Sequence, residues 1–274
     1  MRIQHNIPAL SSHRNLSNNN SALSKNLEKL SSGYRINRAG DDAAGLAISE
    51  KMRAQITGLA TAQKNAQDGV SLVQTAEGAL TEVHSMLNRM VELATQSANG
   101  TYDNDDRAKL QAEVDALYSE INRIADATNF NGTTLLAGGD MANQGLDLQI
   151  GPSAAEKINV KIKSMKADQI GLGAKLDISD AAKANTAIAT VKTAINNVST
   201  QRGDLGAIQN RLEHTINNLS VTEENMTAAE SRIRDVDMAK EMMAYTKNNI
   251  LVQASQAMLA QANQVPQSVL QLLQ

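Results

Sequence analysis

Residues 48–94 read ISEKMRAQITGLATAQKNAQDGVSLVQTAEGALTEVHSMLNRMVELA, and their spacing decides the fold. Steps of four and three residues from Ile48 pass through Met52, Gln55, Leu59, Ala62, Ala66, Gly69, Val73, Ala76, Leu80, Val83, Leu87, Met90 and Ala94. Only Gln55 and Gly69 in that series are not apolar. A 3.5-residue repeat held this long keeps one stripe turned toward a partner helix, as in a coiled coil. A single helix over residues 44–98 would run about 80 Å at ~1.5 Å per residue. No compact core covers such a length, so the spacing predicts an elongated molecule.

Working outward, Asn99, Gly100, Thr101, Tyr102, Asp103 and Asn104 form a turn cluster, with Asp105 and Asp106 as capping candidates. A second helix follows with Leu110, Val114, Leu117, Ile121 and Ile124 in the same rhythm, and the short connection folds it back antiparallel. A third helix begins near Asp180. It carries Ile188, Val191, Ile195, Val198, Arg202, Leu205, Gln209, Leu212, Ile216 and Leu219. Between the second and third helices the period drops to two, at Leu146, Leu148 and Ile150 and again at Ile158, Val160 and Ile162. Gly151 and Pro152 open the loop, which predicts a β-hairpin. Two strands alone are marginal in water, so the hairpin should lie on the bundle. Residues 164–179, with Gly171 and Gly173, read as a short connection. The fold class expected is mainly α: an elongated antiparallel helical bundle or coiled coil with a small β-hairpin.

Composition supports thin helix-on-helix packing. Among 274 residues there are four Tyr, one Phe and no Trp, so Ala, Leu, Ile, Val and Met must fill the core. The absence of Cys excludes disulfides, cysteine nucleophiles and thiolate metal sites. A net charge of −3 without a basic cluster argues against nucleic-acid binding. The longest apolar run, about six residues from Ala43 to Ile48, is far below the ~18 a membrane span needs. The opening MRIQHNIPAL lacks the apolar stretch of a cleavable secretory signal.

No catalytic set is visible, and no cofactor or metal is expected. His5, His13, His84 and His214 are scattered, and none sits in an H-E-x-x-H pattern. Gly171-Leu172-Gly173 is a lone GxG. Asn131-Gly132 reads as a turn rather than as part of a glycosylation site. Glu223 and Glu224 lie in a polar stretch with no sign of a pocket.

The two ends differ from the middle. The first thirty residues scatter Ile3, Ile7, Leu10, Leu16, Leu23, Leu27 and Leu30 among Asn and Ser. Residues 251–272 place Leu251, Ser255, Met258, Ala262, Val265, Val269 and Leu272 at heptad spacing, with Pro266 expected to kink or restart the helix. Backbone ordering is costly, and this much apolar burial does not offset it. The termini are therefore expected to be largely disordered in a monomer and helical once many copies pack.

Three long stretches carry a family resemblance. LSSGYRINRAGDDAAGLAISEKMRAQITGL (residues 30–59), AAESRIRDVDMAKEM (228–242) and NNILVQASQAMLAQANQVPQSVLQLL (248–273) resemble bacterial flagellin, in a small form without large outer domains. The resemblance implies a filament-core domain from residues 1–43 and 235–274 and a rod domain from 44–234, with 164–179 where longer relatives insert outer domains. It implies self-assembly into a helical homopolymer for motility, type III export, and an extracellular location. It also implies partners: an export chaperone, hook-associated and cap proteins, and a host Toll-like flagellin receptor. The positions matching the receptor motif are Arg89, Leu93 and Glu113. The C-terminal assembly seam would be Leu251, Met258, Ala262, Val265, Val269 and Leu272. Gly33, Gly40 and Gly45 interrupt helix propensity beside Arg35, Arg38, Asp41 and Asp42, which reads as an inter-domain hinge whose charges lock on assembly. Two other readings fit the pattern: a hook–filament junction protein, which shares terminal heptads, and a signalling coiled-coil rod, which would need a membrane segment.

Overall fold

The computed structural model describes residues 6–173 and 175–272, the side chains of 266–272 excepted. The elements in order are α1 (Ile7–Ser32), α2 (Ala43–Ala98), α3 (Asn104–Ala127), β1 (Asn129–Phe130), β2 (Thr133–Thr134) and α4 (Asp140–Asn143). They are followed by β3 (Leu146–Gln149), β4 (Lys157–Val160), a π-helical turn (Asp168–Leu172), α5 (Ala181–Arg234) and α6 (Met238–Leu272). The chain divides into two compact units, residues 1–56 with 224–274 and residues 57–223. The breaks expected near 43 and 235 fall at the first residue of α2 and in the α5–α6 junction, and the limits of the compact units lie within α2 and α5.

The unit of residues 57–223 holds the hydrophobic core. Along α2 the heptad series from Leu59 to Ala94 is buried at every step, Gly69 included. From α3 come Val114, Ile121 and Ala125, and from α5 Ala184, Ala187, Val191, Ala194, Val198, Leu205 and Leu212. The expected α5 stripe is displaced by part of a turn. Ile188, Ile195 and Ile216 are only half-buried, while Ala184, Ala187 and Ala194 join Val191, Val198, Leu205 and Leu212 in the core. Gln201 is buried among them, its Oε1 accepting from the Lys163 N–H at 3.3 Å. At the start of α3 the cap is Asp103, whose side chain accepts from Asn104 N at 2.7 Å. Asp105 and Asp106 occupy the first turn, where the helix dipole favours negative charge.

The expected hairpin is β3–β4, antiparallel, with Leu146 opposite Val160 and Leu148 opposite Ile158. It lies on the bundle, and the glycine in the α2 stripe is the reason it can. A Cβ at Gly69 would stand 2.4 Å from Leu148 Cδ1 and 3.3 Å from Leu212 Cδ1. The Asn65 amide anchors the same strand by donating to the Gln149 carbonyl at 3.0 Å. A second hairpin, β1–β2, turns through Asn131 (φ 49°) and Gly132 (φ 83°). Positive φ at both central positions defines the type I′ turn that Asn-Gly favours.

Residues 164–179 are more than a connection. Met165, Ala167, Ile170, Leu172, Leu176 and Ile178 are buried, and helical side chains tie down the backbone between them. Gln111 on α3 donates to the Leu176 carbonyl (2.8 Å) and accepts from Ile178 N (2.7 Å), as a neighbouring strand would. Asn122 accepts from Ala167 N at 2.9 Å, Asn197 donates to the Ile170 carbonyl at 2.9 Å, and Tyr118 donates to the Gly173 carbonyl at 2.8 Å.

Candidate assembly site

The unit formed by residues 1–56 and 224–274 has a different construction. It pairs α1 with α6, and each helix presents a strict heptad to the other. On α1 the half-buried face is Ala9, Ser12, Leu16, Asn19, Leu23, Asn26 and Leu30. On α6 it is Glu241, Tyr245, Asn248, Val252, Ser255, Leu259 and Ala262. The seam is laced with polar groups. The Asn19 amide donates to Ser255 Oγ at 3.0 Å. With its amide oriented to suit its neighbours, Asn26 donates to Glu241 Oε1 and accepts from Asn248 Nδ2, each at 3.0 Å. Such pairs specify register and add little stability. Buried side chains in this unit, among the described residues, are only Ile36, Ser49 and Val252.

The apolar residues expected to form the C-terminal assembly seam are mostly turned away from α1. Leu251, Met258 and Val265, spaced by seven, are 39%, 63% and 48% exposed, and Ala262 alone of that set faces α1. Val269 and Leu272 lie outside the described side chains. Met238, Met242, Met243 and Ile250 on α6, and Ile7, Leu10 and Leu27 on α1, are also exposed. Helix α6 therefore carries two faces, one turned to α1 and one apolar and uncovered. The helix does not restart at Pro266: α6 continues as one helix to Leu272.

Between the two helical segments, residues 33–42 are held in the single chain by backbone pairing and local caps. Gly33 (φ 74°) ends α1, its N–H bonded to the Lys29 carbonyl at 2.9 Å. Tyr34 bridges Asp235, flanked by Arg35 N to the Arg234 carbonyl (2.7 Å) and Val236 N to the Gly33 carbonyl (3.0 Å). Arg35 reaches the Arg232 and Ile233 carbonyls at the C-terminal end of α5, where a cation complements the helix dipole. Arg38 pairs with Glu28 at 2.9 Å.

Asp41 and Asp42 do not pair with these arginines. Asp41 Oδ2 accepts from Asn37 N (3.2 Å) and Arg38 N (3.1 Å), and the Arg38 and Asn37 backbone donors hold its carboxyl below its ordinary value. Asp42 caps α2, accepting from Gly45 N at 2.9 Å. A Cβ at Gly45 would sit 2.5 Å from the Asp42 carboxylate and 2.8 Å from buried Ile36, so the cap needs glycine there. Gly40 has open space around it.

The sequence reading missed the cluster around Tyr34. The Arg53 and Arg234 guanidiniums lie 5.7 and 4.9 Å from its ring centroid. Glu50 pairs with Arg234 at 2.5 Å, and Glu230 with Arg53 at 3.6 Å. Arginines separated this widely in sequence gave no local signal of it.

In the other unit, two of the three receptor-motif residues meet. Arg89 donates to Glu113 at 2.9 Å and to Glu92 at 3.0 Å, and these partners, Glu113 foremost, raise its pKa. The pair is about half exposed. Leu93 is not a surface residue: it is fully buried in the core that α2 shares with α3 and α5.

An antiparallel helix pair with an uncovered apolar face fits the class of structural subunits that pack through their helices. Residues 3–141 match the bacterial flagellin N-terminal helical region, and residues 188–273 the bacterial flagellin C-terminal helical region. The chain is 57% identical over 303 aligned residues to a flagellin of Bacillus subtilis, covering all of both chains. It is 50% identical over 285 residues to the flagellar filament 33 kDa core protein of Treponema phagedenis, again covering both in full. The crystal structure of Bacillus cereus flagellin is similar, with 35% identity and a TM-score of 0.50 over 61% of this chain and 94% of that one. The chain belongs to the bacterial flagellin family. As such it is a structural subunit of the flagellar filament and lies outside the cell. Among the described residues, no helix is long and apolar enough to cross a membrane.

Proposed function

We propose that the α1·α6 unit is the filament-core domain, and that its helices become ordered when copies of the chain pack through the uncovered face of α6. One observation carries this reading. Among the described residues that unit buries only three side chains, yet it exposes Leu251, Met258 and Val265 at heptad spacing beside Met238, Met242, Met243 and Ile250. Isolated helices with so little burial are marginal in water, and covering that stripe supplies the missing apolar contact. Residues 57–223, with a core of their own, act as the rod domain and fold without partners. The same reading takes in export through the flagellar type III channel and partnership with an export chaperone and with hook-associated and cap proteins, and membership of the flagellin family supports it.

The test compares dissolved chain with seeded filaments by amide hydrogen exchange. In the monomer, amides of α1 and α6 should exchange orders of magnitude faster than those of α2 between Leu59 and Ala94. In the filament they should become protected. A version ending near Ala244 should not polymerise. Slow exchange throughout α6 in a monodisperse monomer would refute the reading.

A second reading rests on the exposed Arg89–Glu113 pair. It offers a host flagellin receptor a fixed cation beside two carboxylates, with Leu93 supporting it from below. Arg89→Ala and Glu113→Ala should each weaken receptor binding while leaving the thermal unfolding of residues 57–223 nearly unchanged. Binding equal to that of the unmodified chain would remove this reading.

A further inference from the structure

Helix α6 passes through Pro266 without a break. A proline has no N–H, so the carbonyl four residues earlier, that of Ala262, is left without its helical donor. In this structure the Asn6 Nδ2 donates to that carbonyl at 2.8 Å, across 256 residues of sequence. The other end of the same amide is also engaged. Asn6 Oδ1 accepts from Ala9 N at 3.2 Å, which makes Asn6 the N-cap of α1.

We infer that Asn6 is the positioning residue that sets the register of α1 on α6, with Pro266 marking its address. Every other carbonyl along the body of α6 already receives a helical N–H; the one opposite Asn6 cannot. Sliding α1 by a heptad would leave the Ala262 carbonyl bare and bring the Asn6 amide to a carbonyl with no need of it. The residue type follows from the double duty. Ser and Asp cap a helix as well as Asn does, but neither combines that acceptor with an amide donor. Asn19 and Asn26 add register contacts further along the seam, and Asn6 fixes its end.

The test is a rescue, made in the full chain. Asn6→Asp and Asn6→Ser both keep an N-cap oxygen and lose the amide donor; one adds charge and the other does not. Each should raise the critical concentration for seeded filament growth two- to tenfold, the span of one net hydrogen bond. Pro266→Ala returns the helical donor to Ala262. On that background the Asn6 variants should come within twofold of Pro266→Ala alone. This readout rests on the filament reading, so a second does not. With no native cysteine, Asn19→Cys with Ser255→Cys traps the α1·α6 pairing each time it forms transiently in the dissolved chain, because those side chains meet at 3.0 Å when the helices are in register. Asn6→Asp should slow disulfide formation between them two- to tenfold, and Pro266→Ala should restore it. Asn6 variants that match the unmodified chain, or that stay equally impaired with and without Pro266, overturn the inference. Failure of the unmodified chain to polymerise, with the cysteine pattern intact, would count against the filament reading alone.

Discussion

Gly69→Ala against Gly78→Ala isolates the packing of the β3–β4 hairpin on α2. Both glycines lie inside α2, and replacing either by alanine gains about 1 kcal/mol of helix propensity. Gly78 has nothing within 4 Å of its missing Cβ, so that gain should appear in full. At Gly69 the new Cβ would lie 2.4 Å from Leu148 Cδ1, against an ordinary carbon–carbon contact of about 3.5–4.0 Å. Leu148 must move more than an ångström, and Leu212 Cδ1, at 3.3 Å, crowds the Cβ from the neighbouring helix. Overpacking of this kind costs about 1–3 kcal/mol. Since the propensity gain is common to both, the variants should differ by about 1–3 kcal/mol. At ~2–4 °C per kcal/mol for a domain of this size, that separates their Tm values by roughly 2 to 12 °C. Calorimetry of the full chain, following the transition of residues 57–223, measures it. Leu148→Ala removes the atoms struck, so combined with Gly69→Ala it should show favourable coupling of about 1 kcal/mol or more. Equal Tm shifts for the two glycine variants would show that the hairpin does not rest on Gly69.

Gln111→Ala removes both hydrogen bonds to residues 176–178 and leaves the Ile178 N–H without its partner, at a cost of about 1–3 kcal/mol. Hydrogen exchange at that amide should quicken at least tenfold, and Gln111→Glu, which keeps the acceptor, should protect it better than alanine does. Asp42→Ala should cost about 1 kcal/mol by removing the α2 cap, while Asp42→Ser should stay close to the unmodified chain. A serine variant as impaired as alanine would mean that Asp42 acts through its charge. Asp177 accepts from Lys183 Nζ at 2.7 Å and from Ser179 N at 2.9 Å, and these donors, Lys183 first, hold its pKa far below the ordinary 3.8. A depressed folded-state pKa contributes stability that is fully present above the unfolded value and is lost as pH falls through the folded one. The gap between the unmodified chain and Asp177→Asn in urea midpoint should therefore hold above pH ~4 and shrink steadily below it; a gap constant in pH contradicts the pairing.

How far the sequence could be read depended on what each pattern encodes. From Leu59 to Ala94 every heptad position proved buried, because a repeat that long must face something. The same repeat begins at Ile48, which is 49% exposed. Periodicity names a face and not its cover. On α5 the buried positions the spacing left out are Ala184, Ala187 and Ala194, residues too small to weigh in a count of large apolar side chains, and Gln201, which a polar–apolar reading assigns to the surface. Residues 164–179 bury six apolar side chains without a period, since side chains such as Gln111 and Asn122 supply what a ladder normally would. Asp41 and Asp42 looked like partners for Arg35 and Arg38 because they are near in sequence. The legible signal was instead the glycine three residues after Asp42, at the position whose N–H a cap satisfies. For α6 the heptad through Leu251 is real, but a second one, offset by a residue through Val252 and Leu259, is the one that meets α1. Two interleaved repeats on one helix cannot be assigned to partners without a partner to look at.

Those two repeats divide labour that a single seam would have to combine. The face of α6 that meets α1 sets Glu241, Asn248 and Ser255 against Asn26 and Asn19, groups that discriminate sharply between registers because a mispaired amide is left unsatisfied. Such a face is selective and weak. The flanking face carries Leu251, Met258 and Val265, which yield favourable free energy in proportion to the area covered and are nearly indifferent to register. Methionines 238, 242 and 243 extend that character, since an unbranched thioether adapts to whatever packs on it. In the proposed filament the pairing within a chain would thus fix geometry while contact between chains supplies the driving force. A subunit that travels as a monomer and assembles only at its destination would gain from that order: on the proposed reading the helices find their register through the asparagines and persist where other copies cover the outward stripe.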